Sequence, residues 1–387
     1  MSNNTTREAM ATNNNDKTLN VPHLRFPEFS GEWKKCTIND LATVVGGGTP
    51  DTTVKSYWGG DIQWFTPSEI GKNKYVDFSL RTITRDGLDN SSAKLLPLHT
   101  ILLSSRATVG ECSIASNECT TNQGFQSLIA KQCNIDFLYY LIQTKKKDLI
   151  RNACGSTFLE ISANEIRKIK VAVPVQNEQE QIAKLLSLVD ERIATRNKII
   201  EKLESLIRGI YKTLLGESDQ YRYLDELCEI KKGVQVNKEE LSEKGLYYVM
   251  NGGITPSGYY DLYNTEANTI SISEGGNSCG YVQYNYTPFW SGGHCYTLEN
   301  ISDVVDDRYL FHYLKANELK IMSLRIGSGL PNIQKKDLSA FRIPLPALNK
   351  QINIAKALDA LLYKITVDKN IYSTYKQKEY LLQQMFI

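Results

Sequence analysis

Two stretches of the sequence, PVQNEQEQIAKLLS (174–187) and PALNKQINIAKALD (346–359), are copies of one motif. The copies share their proline, asparagine and glutamine and the triplet Ile-Ala-Lys, without a gap, at an offset of 172 residues. The same offset relates Gly155 to Gly327, so the identities extend over about 30 positions. A period of this length is too long for a solenoid repeat, so each copy is a domain followed by a helix. We expect a protein with two related modules to bind something that has two related halves.

The composition limits the class of protein. The 387 residues suffice for two domains, and contents of 41% hydrophobic and 23% charged residues are typical of a soluble globular protein. No apolar run predicts a membrane span or a signal peptide. Residues 1–20, rich in Asn and Thr, are predicted to be a disordered tail. The eight cysteines are scattered without a CxxC pair, which argues against a metal site and predicts reduced thiols in the cytoplasm.

The pattern of apolar residues predicts the architecture. Short apolar runs alternate with Gly, Pro, Asn and Ser clusters through 21–174 and again through 217–346, which indicates two mixed domains of strands and helices. Heptad spacing then predicts a long helix at 175–216 and another at 347–387. We therefore predict an α/β (α+β) fold. Its two mixed α/β domains are separated by two long helices that form an antiparallel coiled coil, and a pseudo-twofold axis relates the repeats.

One polar residue interrupts each heptad seam near its middle. These residues are Arg196 in the first helix and Asp368 at the equivalent place in the second. Their opposite charges predict that they face each other where the helices cross, although both could instead extend into solvent. Helices of about 38 residues would form a rod of roughly 57 Å. DNA half-sites one turn apart are separated by about 34–36 Å, so a rod of this length could hold two domains over separate half-sites of one duplex.

Further motifs complete a pattern that resembles the specificity (S) subunit of Type I restriction-modification systems over nearly the whole chain. The head of each long helix carries the repeated motif, but Lys350 stands in the second copy where the first has Glu178, a departure from the family pattern. The order of the motifs, together with the duplication, makes the resemblance specific. The other motifs are GGTP (47–50), YWGG (57–60), IQWFTP (62–67), SSRATVG (104–110) and TNQGF (121–125).

The resemblance implies two target recognition domains, 21–174 and 217–346, each reading one half of a split DNA sequence. It implies double-stranded DNA, two modification (methyltransferase) subunits and restriction subunits as partners, and no membrane. S-adenosylmethionine, ATP and Mg are expected in those partners, and no cofactor is expected in this chain. The residues themselves agree with a non-catalytic subunit, because the sequence has no phosphate-binding loop, no methyltransferase tetrapeptide and no metal-ligand spacing. We predict no catalytic residue.

The candidate DNA contacts are glycine-rich loops and basic residues near predicted strand ends. Such loops let the backbone approach a phosphate, and basic side chains bind phosphates or guanine edges. The alternatives are a plain tight turn for the loops and a solvated surface or a structural ion pair for the basic residues. The candidates are Gly47, Gly48, Thr49, Lys72, Lys74, Arg81, Arg85 and Arg106 in the first domain, and Lys231, Lys232, Gly275, Gly276, Asn277 and Ser278 in the second.

Charge is distributed unevenly, and two other functions stay open. Residues 23–174 carry a net charge of +3 and residues 217–346 a net charge of −5. If the chain binds DNA, its second domain must therefore position a few basic side chains directly at the phosphates or rely on a partner for affinity to the DNA backbone. One alternative is a helical protein–protein adaptor that does not read DNA. The other is a stand-alone nuclease, for which Asp225, Glu229 and Lys231 would form a loose motif.

Overall fold

A computed structural model describes residues 20–155, 159–213, 218–327, 331–369 and 372–387. The predicted tail lies outside this range except for Asn20, whose side chain donates a hydrogen bond to the Trp33 carbonyl at 2.6 Å. No helix within these residues combines the length and the apolar character that a membrane crossing requires. The chain divides into two compact units: unit 1 is Met1–Thr195 with Ile371–Ile387, and unit 2 is Arg196–Asn370.

Unit 1 is a mixed α/β domain. Along its described residues the strands are β1 (Lys34–Thr37), β2 (Ala42–Gly46), β3 (Trp58–Phe65), β4 (Tyr75–Val76), β5 (Arg81–Ile83), β6 (Ile101–Leu103), β7 (Cys112–Ala115), β8 (Cys119–Thr121), β9 (Gln126–Ala130) and β10 (Lys170–Val173). The helices are α1 (Ile38–Leu41), α2 (Arg85–Asp89), α3 (Ile135–Thr144), α4 (Lys146–Arg151), α5 (Ala163–Lys168) and α6 (Gln176–Thr213), the last of which continues into unit 2.

Unit 2 and the C-terminal segment continue the chain. The described strands are β11 (Tyr221–Tyr223), β12 (Glu229–Lys232), β13 (Tyr247–Met250), β14 (Tyr259–Tyr260), β15 (Thr269–Ser273), β16 (Val282–Asn285), β17 (Trp290–Ser291), β18 (Cys295–Glu299) and β19 (Arg342–Pro344). The helices are α7 (Leu224–Leu227), α8 (Asp307–Ala316), α9 (Glu318–Met322), α10 (Lys335–Ser339) and α11 (Leu348–Lys369), followed by α12 (Tyr372–Met385), which belongs to unit 1.

The two units share one sheet topology. The main sheet has the strand order β2-β9-β6-β7-β4 in unit 1 and β12-β18-β15-β16 in unit 2. The smaller sheet is β5-β3-β8 in unit 1 and β14-β13-β17 in unit 2, with one antiparallel and one parallel pairing in each. In both units the first strand pairs antiparallel with the last, β1 with β10 and β11 with β19. This agreement confirms the predicted pair of mixed α/β domains and the internal repeat.

The equivalent helices α3 and α8 fill the core of each unit. Asn134 caps α3 by accepting the Phe137 N–H at 2.9 Å, and Asp306 caps α8 by accepting the Tyr309 N–H at 2.8 Å. Every residue of α3 from Phe137 to Ile142 is buried. The helical stretch does not continue directly from α3 into α4, because Lys145 between them (φ −90°, ψ 7°) leaves the helical conformation.

A repeated glutamine explains the motif at the head of each long helix. In unit 1, Gln179 accepts the Asn134 N–H at 3.0 Å and donates to the Pro174 carbonyl at 3.0 Å. In unit 2, Gln351 accepts the Asp306 N–H at 2.9 Å and donates to the Pro346 carbonyl at 2.8 Å. Both glutamines are buried, and they satisfy backbone groups that are buried at Pro174 and partly buried at Asn134, Asp306 and Pro346. Each therefore fixes the start of a long helix to the N-cap of a core helix.

The difference between Glu178 and Lys350, which directly precede the two glutamines, has a local cause. The Glu178 side chain is fully buried and accepts hydrogen bonds from Arg25 Nε (2.7 Å), Arg25 Nη2 (2.8 Å) and Trp33 Nε1 (3.3 Å). The corresponding Lys350 is exposed at the start of α11. A buried carboxylate needs these donors, because burial of an unpaired charge is costly. Only the first copy of the motif therefore needs a glutamate.

The long helices are paired antiparallel within each unit. In unit 1, the start of α6 and the end of α12 both contact residues 24–25. Arg25 binds Glu178 of α6, and the Leu24 N–H donates to the Gln384 carbonyl of α12. Further along α6, Asp190 pairs with Lys378 at 2.7 Å, earlier in α12.

Unit 2 shows the same antiparallel arrangement between α6 and α11. Glu204 of α6 pairs with Lys369 at 2.9 Å, near the end of α11. Later in α6, Tyr211 lies beside His312, which contacts Asp359 earlier in α11. Arg196 and Asp368 both lie in helical segments, and their direct pairing stays a prediction.

We predict that Gln179→Ala lowers the free energy of unfolding by about 1–3 kcal/mol, because it leaves a partly buried N–H and a buried carbonyl without a partner. Gln176→Ala is the matched control, since Gln176 is exposed and contacts only Glu180 among the described residues. The control should change stability by less than about 0.5 kcal/mol. Urea unfolding of the full chain measures both values, and equal stabilities would contradict the role of Gln179.

His312 should make unit 2 sensitive to acid. Its ring is fully buried with Nε2 2.8 Å from Asp359 Oδ1, and burial holds the pKa of His312 below its usual 6.5. The unfolded chain therefore takes up a proton at a higher pH than the folded chain does, and stability falls as the pH drops below 6.5. Arg308 and His312 hold the pKa of Asp359 below 3.8 despite its burial, so its contribution persists until more acidic pH.

The test compares wild type with His312→Gln by urea unfolding between pH 8 and pH 5. We expect the variant to be less stable at pH 8 and the difference to shrink toward pH 5, because glutamine does not titrate. A difference that stays constant or grows would show that protonation of His312 does not oppose folding.

Candidate DNA interface

In each unit, equivalent loops meet at one edge of the main sheet, which we call the loop edge. In unit 1 the loop edge comprises residues 46–51, 104–111, 121–126, 152–155 and 159–162. In unit 2 it comprises residues 232–237, 274–281, 291–296, 324–327 and 331–334. Three backbone hydrogen bonds tie the unit 1 loops together: Gly48 N–H to Thr121 O (2.8 Å), Ser105 N–H to Gly124 O (2.8 Å) and Ile161 N–H to Ser105 O (3.0 Å).

Unit 2 repeats these three bonds at equivalent positions. They run from Val234 N–H to Ser291 O (2.8 Å), from Glu274 N–H to His294 O (2.9 Å) and from Ile333 N–H to Glu274 O (2.8 Å). The match places Ser105 where unit 2 has Glu274. It also places Arg106, bridged to Glu160, where unit 2 has Gly275, bridged to Asn332. The two loop edges therefore share a backbone frame and differ in side chains.

The predicted glycine loop of unit 1 is packed inside the domain. A Cβ atom on Gly47 would lie 2.0 Å from the Asn122 carbonyl oxygen, and one on Gly48 would lie 2.3 Å from Ser92. The Gly48 carbonyl also accepts the Trp64 indole N–H at 2.9 Å. These contacts favour a tight turn that needs glycine for internal packing. Thr49 at its end is more open and bonds the Gln123 side chain.

The basic candidates of unit 1 have different environments. Arg106 lies at the loop edge and pairs with Glu160 at 2.8 Å, with both side chains nearly half exposed. The Lys74 side chain is only 8% exposed, and its ammonium lies 2.7 Å from Asp136 Oδ1 and from Ser187 Oγ, which favours a structural role.

The remaining basic candidates of unit 1 are exposed. The Arg81 guanidinium stacks 3.6 Å from the Trp58 ring centroid. Arg85 pairs with Asp89 at 3.2 Å on α2, with both side chains mostly exposed. Lys72 is exposed in the loop before β4. Arg81 is connected to the loop edge, because its strand pairs with β3 at Trp64, whose indole contacts the Gly48 carbonyl.

In unit 2 the structure brings Lys232 and the predicted glycine loop together. Lys232 Nζ lies 2.6 Å from Glu274 Oε1, directly before Gly275 and Gly276. Gly276 has φ +77°, a left-handed conformation that glycine adopts without strain, and Asn277 beside it is exposed while Ser278 is partly buried. The sequence did not single out Glu274 or His294.

Glu274 organises the polar groups of this edge. Its side chain is 8% exposed, and besides Lys232 it faces His294 Nδ1 at 3.5 Å and the Tyr296 hydroxyl at 3.4 Å. Burial and the charge of Glu274 raise the pKa of Tyr296 to about 12, so its hydroxyl stays protonated at neutral pH. The only sequence signal for Glu274 was its place between a strand and the glycine loop, in a stretch without Lys or Arg.

Lys231 lies apart from this cluster. Neighbouring residues of a strand point to opposite faces, and Lys231 pairs with Glu299 at 3.2 Å while Lys232 pairs with Glu274. Glu229 accepts a hydrogen bond from Asn300 Nδ2 at 2.9 Å. The loose nuclease motif of Asp225, Glu229 and Lys231 thus gains no support from these contacts. Within the described residues no group of three or more His, Cys, Asp or Glu is placed to hold a metal ion.

The repeated α/β units with matching loop edges define a duplicated recognition protein. The chain belongs to the family described as the Type I restriction modification DNA specificity domain, whose model matches residues 30–205 and 218–376. The family model thus matches the chain twice, once over each repeat.

Named relatives agree with the family. The chain is 37% identical over 221 residues to the Type I restriction enzyme MjaIX specificity subunit of Methanocaldococcus jannaschii, covering 54% of this chain and 50% of the relative. It is 25% identical over 357 residues to the EcoprrI specificity subunit of Escherichia coli, covering 85% and 86%. The chain spans about half the length of the first curated relatives it matches.

A solved structure shows the same fold. The crystal structure of a Type I restriction-modification system S subunit from M. genitalium superposes with a TM-score of 0.71, at 20% identity, over 95% of this chain and 99% of that one.

We predict that Lys232→Met destabilises unit 2 by about 1–3 kcal/mol, because it removes the cation closest to a buried carboxylate. Lys231→Met is the matched control on the same strand, since its partner Glu299 is more exposed, and it should cost less than about 1 kcal/mol. Urea unfolding measures both. Equal losses of stability in the two variants would indicate that the buried Glu274 carboxylate is not stabilised by Lys232.

Proposed function

We propose that this chain is the DNA sequence-specificity subunit of a Type I restriction-modification complex. Each unit would read one half of a split target through its loop edge. The observation that carries the proposal is the pair of loop edges, which share a hydrogen-bonded frame and present different side chains. Family membership and the similarity to specificity subunits of Type I restriction enzymes support it.

The differences between the loop edges bear on the target. Unit 1 presents an arginine–glutamate pair, Arg106 with Glu160, where unit 2 presents Gly275 with Asn332. Arginine suits guanine edges and amide side chains suit adenine, so the two half-sites should have different sequences. All the candidates stay predicted DNA contacts, and Lys74, which is nearly buried against Asp136 and Ser187, has the weakest structural support. They are Gly47, Gly48, Thr49, Lys72, Lys74, Arg81, Arg85, Arg106, Lys231, Lys232, Gly275, Gly276, Asn277 and Ser278.

Partner subunits would supply chemistry and affinity. Unit 2 has no Lys or Arg between Lys244 and Arg308, so its contribution to phosphate binding is small. We propose a non-catalytic chain that docks two modification subunits and restriction subunits. S-adenosylmethionine, ATP and Mg would be bound by those partners and not by this chain. Exposed apolar residues on the long helices, such as Leu206 (57% exposed) and Tyr363 (73% exposed), offer surfaces for such docking. The cytoplasmic location stays a prediction.

The experiment maps methylated adenine across the genome of cells that make the chain with a candidate modification subunit. We expect a split motif with a fixed spacer, which disappears when the chain is deleted. Arg106→Ala should relax or abolish recognition in one half of the motif only, because Arg106 belongs to one loop edge.

Arg222→Ala is the matched control, since Arg222 is exposed on β11, which pairs with β19 in a sheet separate from the main sheet and its loop edge. It should leave the motif unchanged. The adaptor alternative predicts a different result: exchange of residues 21–174 with those of another family member would leave the methylated sequence as it was.

A further inference from the structure

A short loop of unit 1 holds two large apolar side chains in solvent. Phe78 and Leu80, between β4 and β5, are 80% and 87% exposed, which makes them the most exposed large apolar side chains among the described residues of unit 1. Single exposed apolar residues are common on protein surfaces, but two that flank one residue form a compact apolar projection.

The backbone of this loop is fixed. The Ser79 N–H donates to Gln63 Oε1 at 2.7 Å, and Ser79 Oγ accepts the Trp64 N–H at 2.9 Å. The next amide, Leu80 N–H, donates to Glu69 Oε1 at 2.6 Å. Because Ser79 faces β3, its two neighbours face away from the domain. Their exposure is therefore built into the hydrogen bonding of the loop, and binding through them requires little further ordering.

Cationic side chains adjoin the projection. Arg81 follows Leu80 directly and stacks on Trp58, and among the described residues no acidic side chain forms an ion pair with it. Lys72, in the loop on the other side of β4, is also exposed and without an ion pair in the described part of the chain. An apolar projection beside unpaired cations fits a ligand that offers both stacked rings and phosphates, which is duplex DNA.

The projection is also connected to the loop edge. Trp64 donates its backbone N–H to Ser79 and its indole N–H to the Gly48 carbonyl, at 2.9 Å in both cases. One residue thus links the support of Phe78 and Leu80 to the loop edge of unit 1. The loop that carries the projection and the glycine turn of the loop edge are thus both bonded to Trp64.

We propose that Phe78 and Leu80 form a wedge that enters a groove of the DNA beside the half-site read by unit 1, where it partly unstacks one base step. Arg81 contacts a neighbouring phosphate. This inference rests on the proposed function. A wedge of this kind makes binding depend on how easily the wedged step deforms, so unit 1 would favour flexible pyrimidine–purine steps at that position without hydrogen bonding to their bases.

The test uses the full chain assembled with its modification subunit and a duplex that carries the motif found by methylation mapping. Fluorescence energy transfer between dyes at the duplex ends reports bending, and 2-aminopurine at the steps flanking the half-site reports unstacking. We expect Phe78→Ala/Leu80→Ala to abolish both signals and to weaken specific binding about tenfold or more. Binding to a random-sequence duplex should change much less. Phe78→Leu, which keeps an apolar side chain, should retain most of the bending.

Leu319→Ala is the matched control, because Leu319 is 81% exposed on α9 of unit 2. It should leave bending and affinity unchanged. Unaltered bending and affinity in the Phe78/Leu80 variant would overturn the wedge. Loss of the modification subunit from that variant, with bending intact in the remaining complex, would also overturn it and would identify a protein docking patch. If the wild-type complex does not bind the motif, the proposed function itself fails, which is a separate result.

Discussion

The buried glutamine at the head of each long helix is the constraint on which the rest of the structure depends. Gln179 and Gln351 each join a proline carbonyl at the end of a domain to the N-cap amide of that domain's core helix. An amide side chain is suited to this place because it donates and accepts at once. The same two bonds in both copies fix how each α/β domain meets its helix, and they explain why this motif is the best preserved part of the repeat.

With this attachment fixed, the loop edges are free to differ. Backbone hydrogen bonds between loops give both edges the same frame, although the two edges carry different side chains. Unit 1 uses this freedom for an exposed arginine–glutamate pair, and unit 2 uses it for a buried Glu274 with Lys232 and His294. A scaffold that is independent of its reading residues suits a protein whose two halves recognise different sequences.

The side-chain contacts between core helix and long helix differ between the two units, whereas the glutamine contacts are the same. In unit 1, Tyr140 of α3 bonds Asp190 of α6 at 2.7 Å. In unit 2, His312 stands at the equivalent of Tyr140 and bonds Asp359 of α11, which Arg308 also pairs with. Each unit thus pairs the polar group of its core helix with a carboxylate of its own long helix. The repeat therefore preserves geometry while the chemistry of the interface has diverged.

The sequence by itself determined the duplication, the mixed α/β class and the long helices, because periodicity and ungapped identity are local properties of a chain. It also identified Arg106 and Lys232, which lie at the loop edges. Only the tertiary structure decided that Lys74 is enclosed by Asp136 and Ser187, that Gly47 and Gly48 are packed internally, and that Glu274 gathers Lys232 and His294. These facts depend on partners between 20 (Glu274 to His294) and 113 (Lys74 to Ser187) residues apart, and the environment of a side chain is set by such contacts, which no local pattern records.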